Sequence, residues 1–169
     1  AKYIGLEPHN WVTAWVAITD ANENNGCMRM WPGSHKNNLK HHNQKFDANN
    51  LLTRGQTIEN VPIKETEPVI LKAGQMSLHH PTIVHGSGIN KSNDRRIGFV
   101  VQSYIGDNVN QVLGKMFVQL ARGKDRYKYH QYSNIPEEFM NIKDIECRDI
   151  ANEELSKIFY NGSKKIGKY

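Results

Sequence analysis

The sequence predicts a mostly β domain, a sandwich or barrel of short strands, followed by one helix near the C-terminus. Short runs of β-branched and apolar residues are separated by clusters of Gly, Pro and Asn, which is typical of compact all-β folds. Apolar residues take a helical spacing only near the C-terminus. At 169 residues the chain suits one globular domain, so we expect a single domain over residues 1–169.

The first strand is predicted at residues 11–19, where side chains alternate between two faces. One face carries both Trp11 and Trp15. Residues 20–26, DANENNG, form a cluster of turn residues, and CMRMW at 27–31 returns to a short strand pattern. We therefore expect a strand, a loop and a second strand in this part of the chain.

Residues 34–60 are polar and lack a clear period, which predicts an extended surface excursion. The excursion contains His41 and His42, and we expect it to influence substrate access rather than chemistry. Four further strand-like runs, bounded by Gly and Pro, follow it at residues 68–74, 75–80, 82–88 and 96–105.

The single helix is predicted at residues 149–162. Apolar residues recur there at helical spacing. Asp149 is a suitable N-cap because its side chain can accept a hydrogen bond from the first turn, and Gly162 is a suitable stop.

Composition argues against several classes of partner. The formal charge is +5, but the lysines are scattered, so we expect no nucleic-acid partner. No apolar run approaches the roughly 18 residues of a spanning helix, and we see no leader segment, so we expect a soluble protein without a membrane partner. Cys27 and Cys147 show no pairing pattern and are expected to be buried free thiols, which suits the reducing cytoplasm.

The stretch HHPTIVHGSGINKSNDRR, residues 79–96, concentrates histidine and arginine. His85 stands beside a Gly-Ser-Gly turn, where a rigid backbone can present one imidazole nitrogen to a metal ion. A hydrogen-bonded structural histidine is the alternative. Side-chain alternation places His79 on the same face as His85, and His80 on the other.

Arg96 begins an apolar run, and a guanidinium on an inward face is costly to bury without an acidic partner. A dicarboxylate cosubstrate would meet this need through a bidentate salt bridge, and so would an internal Asp or Glu. The hydroxyl of Ser87 could donate to the same carboxylate. On the residues alone, both kinds of partner stay open.

Four motifs occur along the chain in the order NGCMR, PGSH, HGSGINKS and RRIGF. Together they resemble the phytanoyl-CoA dioxygenase family of non-haem iron, 2-oxoglutarate-dependent oxygenases. The resemblance covers nearly the whole chain, and LARGKDRYKYHQY is similar to a segment of bacterial members. It implies a double-stranded β-helix, a cupin-like jelly roll. It also implies Fe(II), O2 and the cosubstrate 2-oxoglutarate, with a small molecule as substrate.

The resemblance implies roles for individual residues as well. His85 would be the distal histidine of a two-histidine, one-carboxylate iron site, and thus the metal-ligating and catalytic residue. Arg96, helped by Ser87, would bind the far carboxylate of 2-oxoglutarate. Trp15 would lie beside the keto-acid end of this cosubstrate, with core packing as the alternative, and Thr13 is a weaker candidate on the same face.

One part of the family pattern is absent. The other two ligands come from a His-x-Asp motif that would fall ahead of Ala1, and neither His9 nor Asp20 supplies it. We therefore expect a C-terminal fragment, with its jelly roll incomplete at the N-terminus, that is inactive by itself. A noncatalytic relative is the alternative. His35, in the PGSH motif, is expected to be structural.

Without that motif several functions stay open. Hydroxylation is favoured, but a related halogenase, in which chloride replaces the carboxylate ligand, follows the same pattern over these residues. A metal-free jelly-roll binding module is a further alternative. We also expect that an open sheet edge could pair with another copy of the chain, which would give a homo-oligomer.

Overall fold

The computed structural model describes residues 3–36, 39–46, 48 and 50–165. Its strands are short, and its helix lies near the C-terminus, in agreement with the predicted fold class. In chain order the elements are β1 (Leu6–Glu7), β2 (Trp11–Ala17), β3 (Met28–Met30), a 3₁₀ turn (Ser34–Lys36), β4 (Asn43–Gln44), β5 (Gln56–Thr57), a second 3₁₀ turn (Ile63–Glu65), β6 (Glu67–Pro68), β7 (Met76–His79), β8 (His85–Ser87), β9 (Gly98–Ile105), β10 (Asn110–Gln111), β11 (Phe117–Val118), β12 (Gln131–Tyr132) and α1 (Ile142–Phe159).

The chain divides into two compact units. The described residues of Asn10–Lys45 and Gln56–Ile105 form one, which we call the sheet unit. Those of Ala1–His9, Phe46–Gly55 and Gly106–Tyr169 form the other, which we call the helix unit. Every residue predicted to bind metal or cosubstrate lies in the sheet unit. A single domain over the whole chain stays a prediction.

The first sheet of the sheet unit is antiparallel, with β2 between β7 and β9. Trp15 lies opposite Ser77 on one side and opposite Val100 on the other. The strand predicted from Trp11 onward is confirmed, although β2 ends at Ala17. Aromatic and β-branched side chains favour this extended backbone, because they pack well on a pleated surface.

The second sheet places β3 between β6 and β8, again antiparallel. Met30 lies opposite His85 and Met28 opposite Ser87, so these four side chains share one face. Trp15 from the first sheet belongs to a buried cluster against which Met28 packs. The core of the sheet unit therefore joins two sheets, as a jelly roll requires.

Residues 34–60, predicted to be a surface excursion without regular structure, contain a pair of strands and a buried side chain. Strands β4 and β5 pair with each other inside this segment. Ser34 is 3% exposed, and its hydroxyl oxygen accepts a hydrogen bond from the backbone N–H of Val84 at 2.9 Å. The expectation of a plain surface segment is therefore wrong at Ser34, because a small hydroxyl can satisfy a backbone donor inside a core.

The helix unit contains two strand pairs and α1. Strand β1 pairs with β10 antiparallel, and β11 pairs with β12 parallel. The side-chain oxygen of Asn141 accepts a hydrogen bond from the N–H of Lys143 at 2.9 Å, so Asn141 is the N-cap. The predicted cap Asp149 is wrong, since it lies inside α1. The first turns of α1 are rich in charged residues, and their apolar periodicity is too weak to mark the true start.

The C-terminal end of α1 is held by Arg54, which is buried. Its guanidinium donates to the backbone carbonyl of Phe159 and, at 2.8 Å, to that of Asn161. The same guanidinium lies 3.9 Å from the ring centre of Tyr3. The last carbonyls of a helix lack donors within the helix, and this arginine supplies them. The helix thus ends shortly before the predicted stop, Gly162, which has a φ of 66°.

Both cysteines are free thiols, as predicted. Cys27 is buried in the sheet unit, and burial raises the pKa of its thiol. Cys147 lies on α1 and is only partly buried, so the expectation of burial is wrong for this residue. Across the described part of the chain, no helix combines the length and the apolar character needed to cross a membrane.

Candidate metal and cosubstrate site

His85 is the first residue of β8, and the residues before it are firmly held. Val84 receives a hydrogen bond from the N–H of Trp31 at 2.9 Å and gives one to Ser34. The Nδ1 of His85 lies 3.0 Å from the carbonyl oxygen of Ile83. Because a carbonyl only accepts, the neutral imidazole carries its proton on Nδ1 and keeps a lone pair on Nε2. Metal ligation needs an exposed imidazole oriented in this way.

Ser87 and Arg96 meet next to this histidine. Ser87 lies two residues beyond His85 on β8, so both side chains point to the same side of the sheet. The Nη2 of Arg96 donates to the Oγ of Ser87 at 3.2 Å. Arg96 itself lies two residues before β9 and is half-buried. The structure thus brings together the residues predicted to bind the far carboxylate of 2-oxoglutarate.

The contacts of the Arg96 guanidinium are with the Ser87 hydroxyl and the Trp15 ring. Among the residues that the structure describes, no Asp or Glu forms an ion pair with it. Of the two partners that the sequence left open, an internal carboxylate is therefore absent from the described chain. Guanidinium donors remain for an anionic ligand, and the half-buried position strengthens their attraction to a carboxylate.

Trp15 both packs in the core and lines the site. It is 7% exposed and belongs to the buried cluster of the sheet unit. Its ring centre lies 5.5 Å from the guanidinium carbon of Arg96, within the range of a cation–π contact. The ring also fills the space above Gly98, where a Cβ atom would come within 2.7 Å of the indole Nε1 and closer still to Cζ2 and Cε2. Gly98 is a site residue that the sequence analysis did not identify.

His79 faces His85 across the two sheets. His79 is on β7, opposite Thr13 of β2, and its ring centre is 5.5 Å from that of His85. Its Nδ1 is buried and has no hydrogen-bond partner within the described ranges. Burial, followed by the neighbouring His85, lowers the pKa of His79 to about 4, so this imidazole is neutral near pH 7. The prediction that alternation places His79 and His85 on one face does not explain this pair, because the two residues lie in strands of different sheets.

The metal triad of the family pattern is not assembled by the described residues. No three His, Cys, Asp or Glu side chains come together among them. Asp20 is occupied elsewhere, since the ammonium of Lys72 and the N–H of Ala73 each bond it at 2.9 Å and hold the pKa of its carboxyl below the usual value. His9 bonds the carbonyl of Leu6. The described donors near the candidate metal position are therefore imidazoles only.

Two weaker candidates have other roles. The hydroxyl of Thr13 donates to the carbonyl of Gln102 at 2.7 Å, where the pairing of β2 and β9 shifts register. His35 lies beside His80, with ring centres 5.6 Å apart. The hydroxyl of Thr82 donates a hydrogen bond to the backbone carbonyl of His35. The structure thus places His35 in a second imidazole pair, apart from the pair formed by His79.

Comparison with known proteins identifies the family. The profile of phytanoyl-CoA dioxygenase (PhyH) matches residues 2–98, more than half of the chain, including His85, Ser87 and Arg96. The chain belongs to the phytanoyl-CoA dioxygenase family. The resemblance carried by the four sequence motifs is thereby confirmed. Members of this family are iron- and 2-oxoglutarate-dependent oxygenases.

Curated relatives align with only part of their own length. Human peroxisomal phytanoyl-CoA dioxygenase is 34% identical over 88 residues, which are 50% of this chain and 25% of that protein. A probable alpha-ketoglutarate-dependent hypophosphite dioxygenase from Stutzerimonas stutzeri is 30% identical over 112 residues, which are 63% of this chain and 39% of that protein. Each alignment thus covers well under half of the relative's own length.

A solved structure extends the likeness beyond the profile. The apo form of ThoJ, a non-heme monooxygenase, superposes with a TM-score of 0.80 at 28% identity, over 93% of this chain and 56% of ThoJ. The ThoJ–Ni complex gives a TM-score of 0.70 at 27% identity, over 91% of this chain and 54% of that one. These neighbours confirm the predicted jelly roll, and the likeness covers most of this chain.

Proposed function

We propose that this chain provides the cosubstrate-binding part of an Fe(II)/2-oxoglutarate-dependent dioxygenase that hydroxylates a small-molecule substrate. The reaction converts 2-oxoglutarate, O2 and a substrate C–H bond to succinate, CO2 and a substrate hydroxyl group, so that one oxygen atom of O2 enters succinate and the other enters the substrate. One observation carries the proposal: Arg96, paired with Ser87 and covered by Trp15, has no acidic partner in the described chain. Membership of the PhyH family supports the choice of 2-oxoglutarate as the missing dicarboxylate.

Each residue of the anchor has a separate task. The Arg96 guanidinium binds the far carboxylate of 2-oxoglutarate through charge-assisted hydrogen bonds, and its planar fork orients that carboxylate. The Ser87 hydroxyl, 3.2 Å from the guanidinium, can turn to donate to the same oxygens. The Trp15 ring lies along the guanidinium and keeps water from this side, which strengthens the salt bridge.

His85 is the residue of this chain that would ligate iron in the family manner. Its Nδ1–H is held by the Ile83 carbonyl, which directs Nε2 outward as a ligand. Bound iron supplies the redox chemistry that couples O2 reduction to decarboxylation of 2-oxoglutarate. The described residues supply no carboxylate beside His85, so they match this part of the site only incompletely.

Titration with 2-oxoglutarate tests the anchor. Replacement of Arg96 by Ala should weaken binding about tenfold or more, because a charge-assisted hydrogen bond is worth about 1.5–3 kcal/mol. Ligand-observed NMR of the 169-residue chain measures the affinity. Arg95→Ala is the matched control, since Arg95 is an exposed neighbour that makes no contact with Ser87, and it should change binding by less than about twofold. Equal effects of the two substitutions would refute the assignment.

We further propose that the chain does not turn over by itself. An iron site with open positions for cosubstrate and O2 needs three protein ligands in this chemistry, and the described residues bring no carboxylate to His85. Incubation with Fe(II), ascorbate and carboxyl-labelled 2-oxoglutarate should release no more CO2 than buffer with iron. Release that exceeds this background and is lost in His85→Ala would contradict the proposal.

A further inference from the structure

The first sheet of the sheet unit has one face in the core and one exposed apolar face. Trp15 marks the core face, together with Ser77 opposite it. Side chains at the neighbouring positions point to the other side, because successive residues of a strand alternate between the two faces. The strand register joins eight of them into a set that we call the outer face: Val12, Ala14 and Val16 of β2, Met76 and Leu78 of β7, and Phe99, Val101 and Tyr104 of β9.

We propose that the outer face binds the outer face of a second copy of this chain, which gives a dimer with twofold symmetry. A sheet with an apolar face is stabilised when another layer covers that face. The large side chains that flank β2 are 51–62% exposed, namely Met76, Leu78, Phe99 and Tyr104. None of the three strands contains Asp, Glu, Lys or Arg. A continuous apolar surface without charge is typical of the centre of a protein–protein contact.

The exposed area is sufficient for the centre of a dimer interface. A fully exposed aromatic side chain presents about 150–250 Å², and a large aliphatic one about 100 Å² or more. At the observed exposures the outer face presents about 500 Å² of apolar surface on each copy. Two copies would therefore bury about 1,000 Å² together, which is the lower limit for a specific interface, and residues around the outer face would add to it.

The shape of the outer face suits a copy of itself. Ala14 lies at its centre, between Leu78 on one side and Val101 on the other, and is buried under its larger neighbours. The face therefore has a shallow hollow along β2 with large side chains on both sides. Stacked sheets lie about 10 Å apart with strands crossing at about 30°, so large side chains of one copy fit over the small residue of the other. A twofold axis repeats each of these contacts.

The lack of charge favours a second copy over an acidic or basic partner. A charged partner is selected by opposite charges across the contact, and the outer face carries none. The formal charge of +5 therefore belongs to other surfaces, where it opposes the pairing of two copies less than it would within the contact. The contact uses side chains of the sheet face, whereas the sequence predicted self-association through backbone groups of an open edge. It uses no residue of the proposed 2-oxoglutarate anchor.

Sedimentation velocity of the 169-residue chain over a range of concentrations tests the proposal. Wild type should form a dimer. Met76→Lys and Leu78→Lys should each raise the dimer dissociation constant at least about tenfold, because dimerisation would bury an unpaired charge. The matched controls lie in the same unit but outside the outer face: Ile70 is 56% exposed, like Met76, and Ile63 is about as exposed as Leu78. Ile70→Lys and Ile63→Lys should stay within about twofold of wild type.

Far-UV circular dichroism of each variant establishes that it folds. Leu78→Met keeps an apolar side chain of similar size and should dimerise like wild type, which separates loss of the apolar contact from damage to β7. Three results would overturn the proposal: a wild type that stays monomeric at about 1 mM, wild-type dimerisation in both Met76→Lys and Leu78→Lys, or an equal loss in Ile70→Lys. The second of these results would instead assign self-association to another surface, such as the sheet edge.

Discussion

Replacement of Gly98 by Ala should destabilise the protein, because the new methyl group would occupy the space of the Trp15 ring. The added Cβ would lie within 2.7 Å of Nε1 and nearer to Cζ2 and Cε2. Carbon atoms pack at about 3.5–4.0 Å, so the overlap is about 1 Å or more. Trp15 is 7% exposed and packed in the core of the sheet unit, which leaves its ring little room to move away.

The magnitude follows from two opposing effects. Extra volume in a packed core costs about 1–3 kcal/mol, and the severe overlap here places Gly98→Ala at the upper end. Exchange of a strand glycine for alanine recovers about 0.5–1 kcal/mol of conformational entropy. We therefore expect the free energy of unfolding to fall by about 2 kcal/mol. Arg96, which contacts both Ser87 and Trp15, should also bind 2-oxoglutarate less tightly.

Urea denaturation measures this loss, with an unchanged slope showing that the transition remains two-state. Gly86→Ala is the matched control, because Gly86 also lies in a strand of the sheet unit and its added Cβ would meet no atom within 4 Å. A double-mutant cycle with Trp15→Ala isolates the clash, since Gly98→Ala should cost almost nothing once the ring is absent. A Gly98→Ala protein as stable as wild type, or an equal loss in both backgrounds, would refute the reasoning.

Two further predictions concern the helix cap and the half-buried His79. Asn141→Ala should lower the free energy of unfolding by about 1 kcal/mol, because it removes the N-cap of α1. Asp149→Ala, inside the helix, should cost about 0.5 kcal/mol or less. Thermal melting compares the two variants, and equal losses would contradict the assignment of Asn141 as the cap. The folded-state pKa of His79 is lowered to about 4, below the unfolded value of about 6.5, so the unfolded metal-free chain binds more protons between these values. The free energy of unfolding should therefore rise with pH through this window and be lost as the pH falls toward 4. Urea midpoints measured across the window should rise less steeply in His79→Gln. A rise as steep as that of wild type would contradict the role of His79.

Local sequence patterns predicted several elements well. Strand β2 followed from alternation and its bulky aromatic residues, and the strand at His85 followed from its apolar run before a glycine turn. The start of α1 was mispredicted because Asp149 looked like a cap, while Asn141 preceded turns with little apolar pattern. Two-residue strands such as β1 and β4 have no usable period, so only their partners define them.

The candidate site was predictable where a motif carried it. His85, Ser87 and Arg96 lie in one short stretch, and the structure brings Ser87 and Arg96 into contact as expected. Trp15 was left between core packing and cosubstrate contact. The structure shows the core packing and a ring centre 5.5 Å from the Arg96 guanidinium carbon, and the cosubstrate contact stays a prediction. The contact of His79 with His85 depends on how two sheets pack, so it could not be predicted from the sequence.

The sequence by itself determined the family and the short-strand fold class, and it predicted the residues of the proposed carboxylate anchor, because motifs and alternation are local properties of the chain. Only the tertiary structure decided which imidazole faces His85, which glycine makes room for Trp15, and that Arg96 lacks an acidic partner in the described chain. These facts depend on register and packing between segments distant in sequence, which local patterns do not specify.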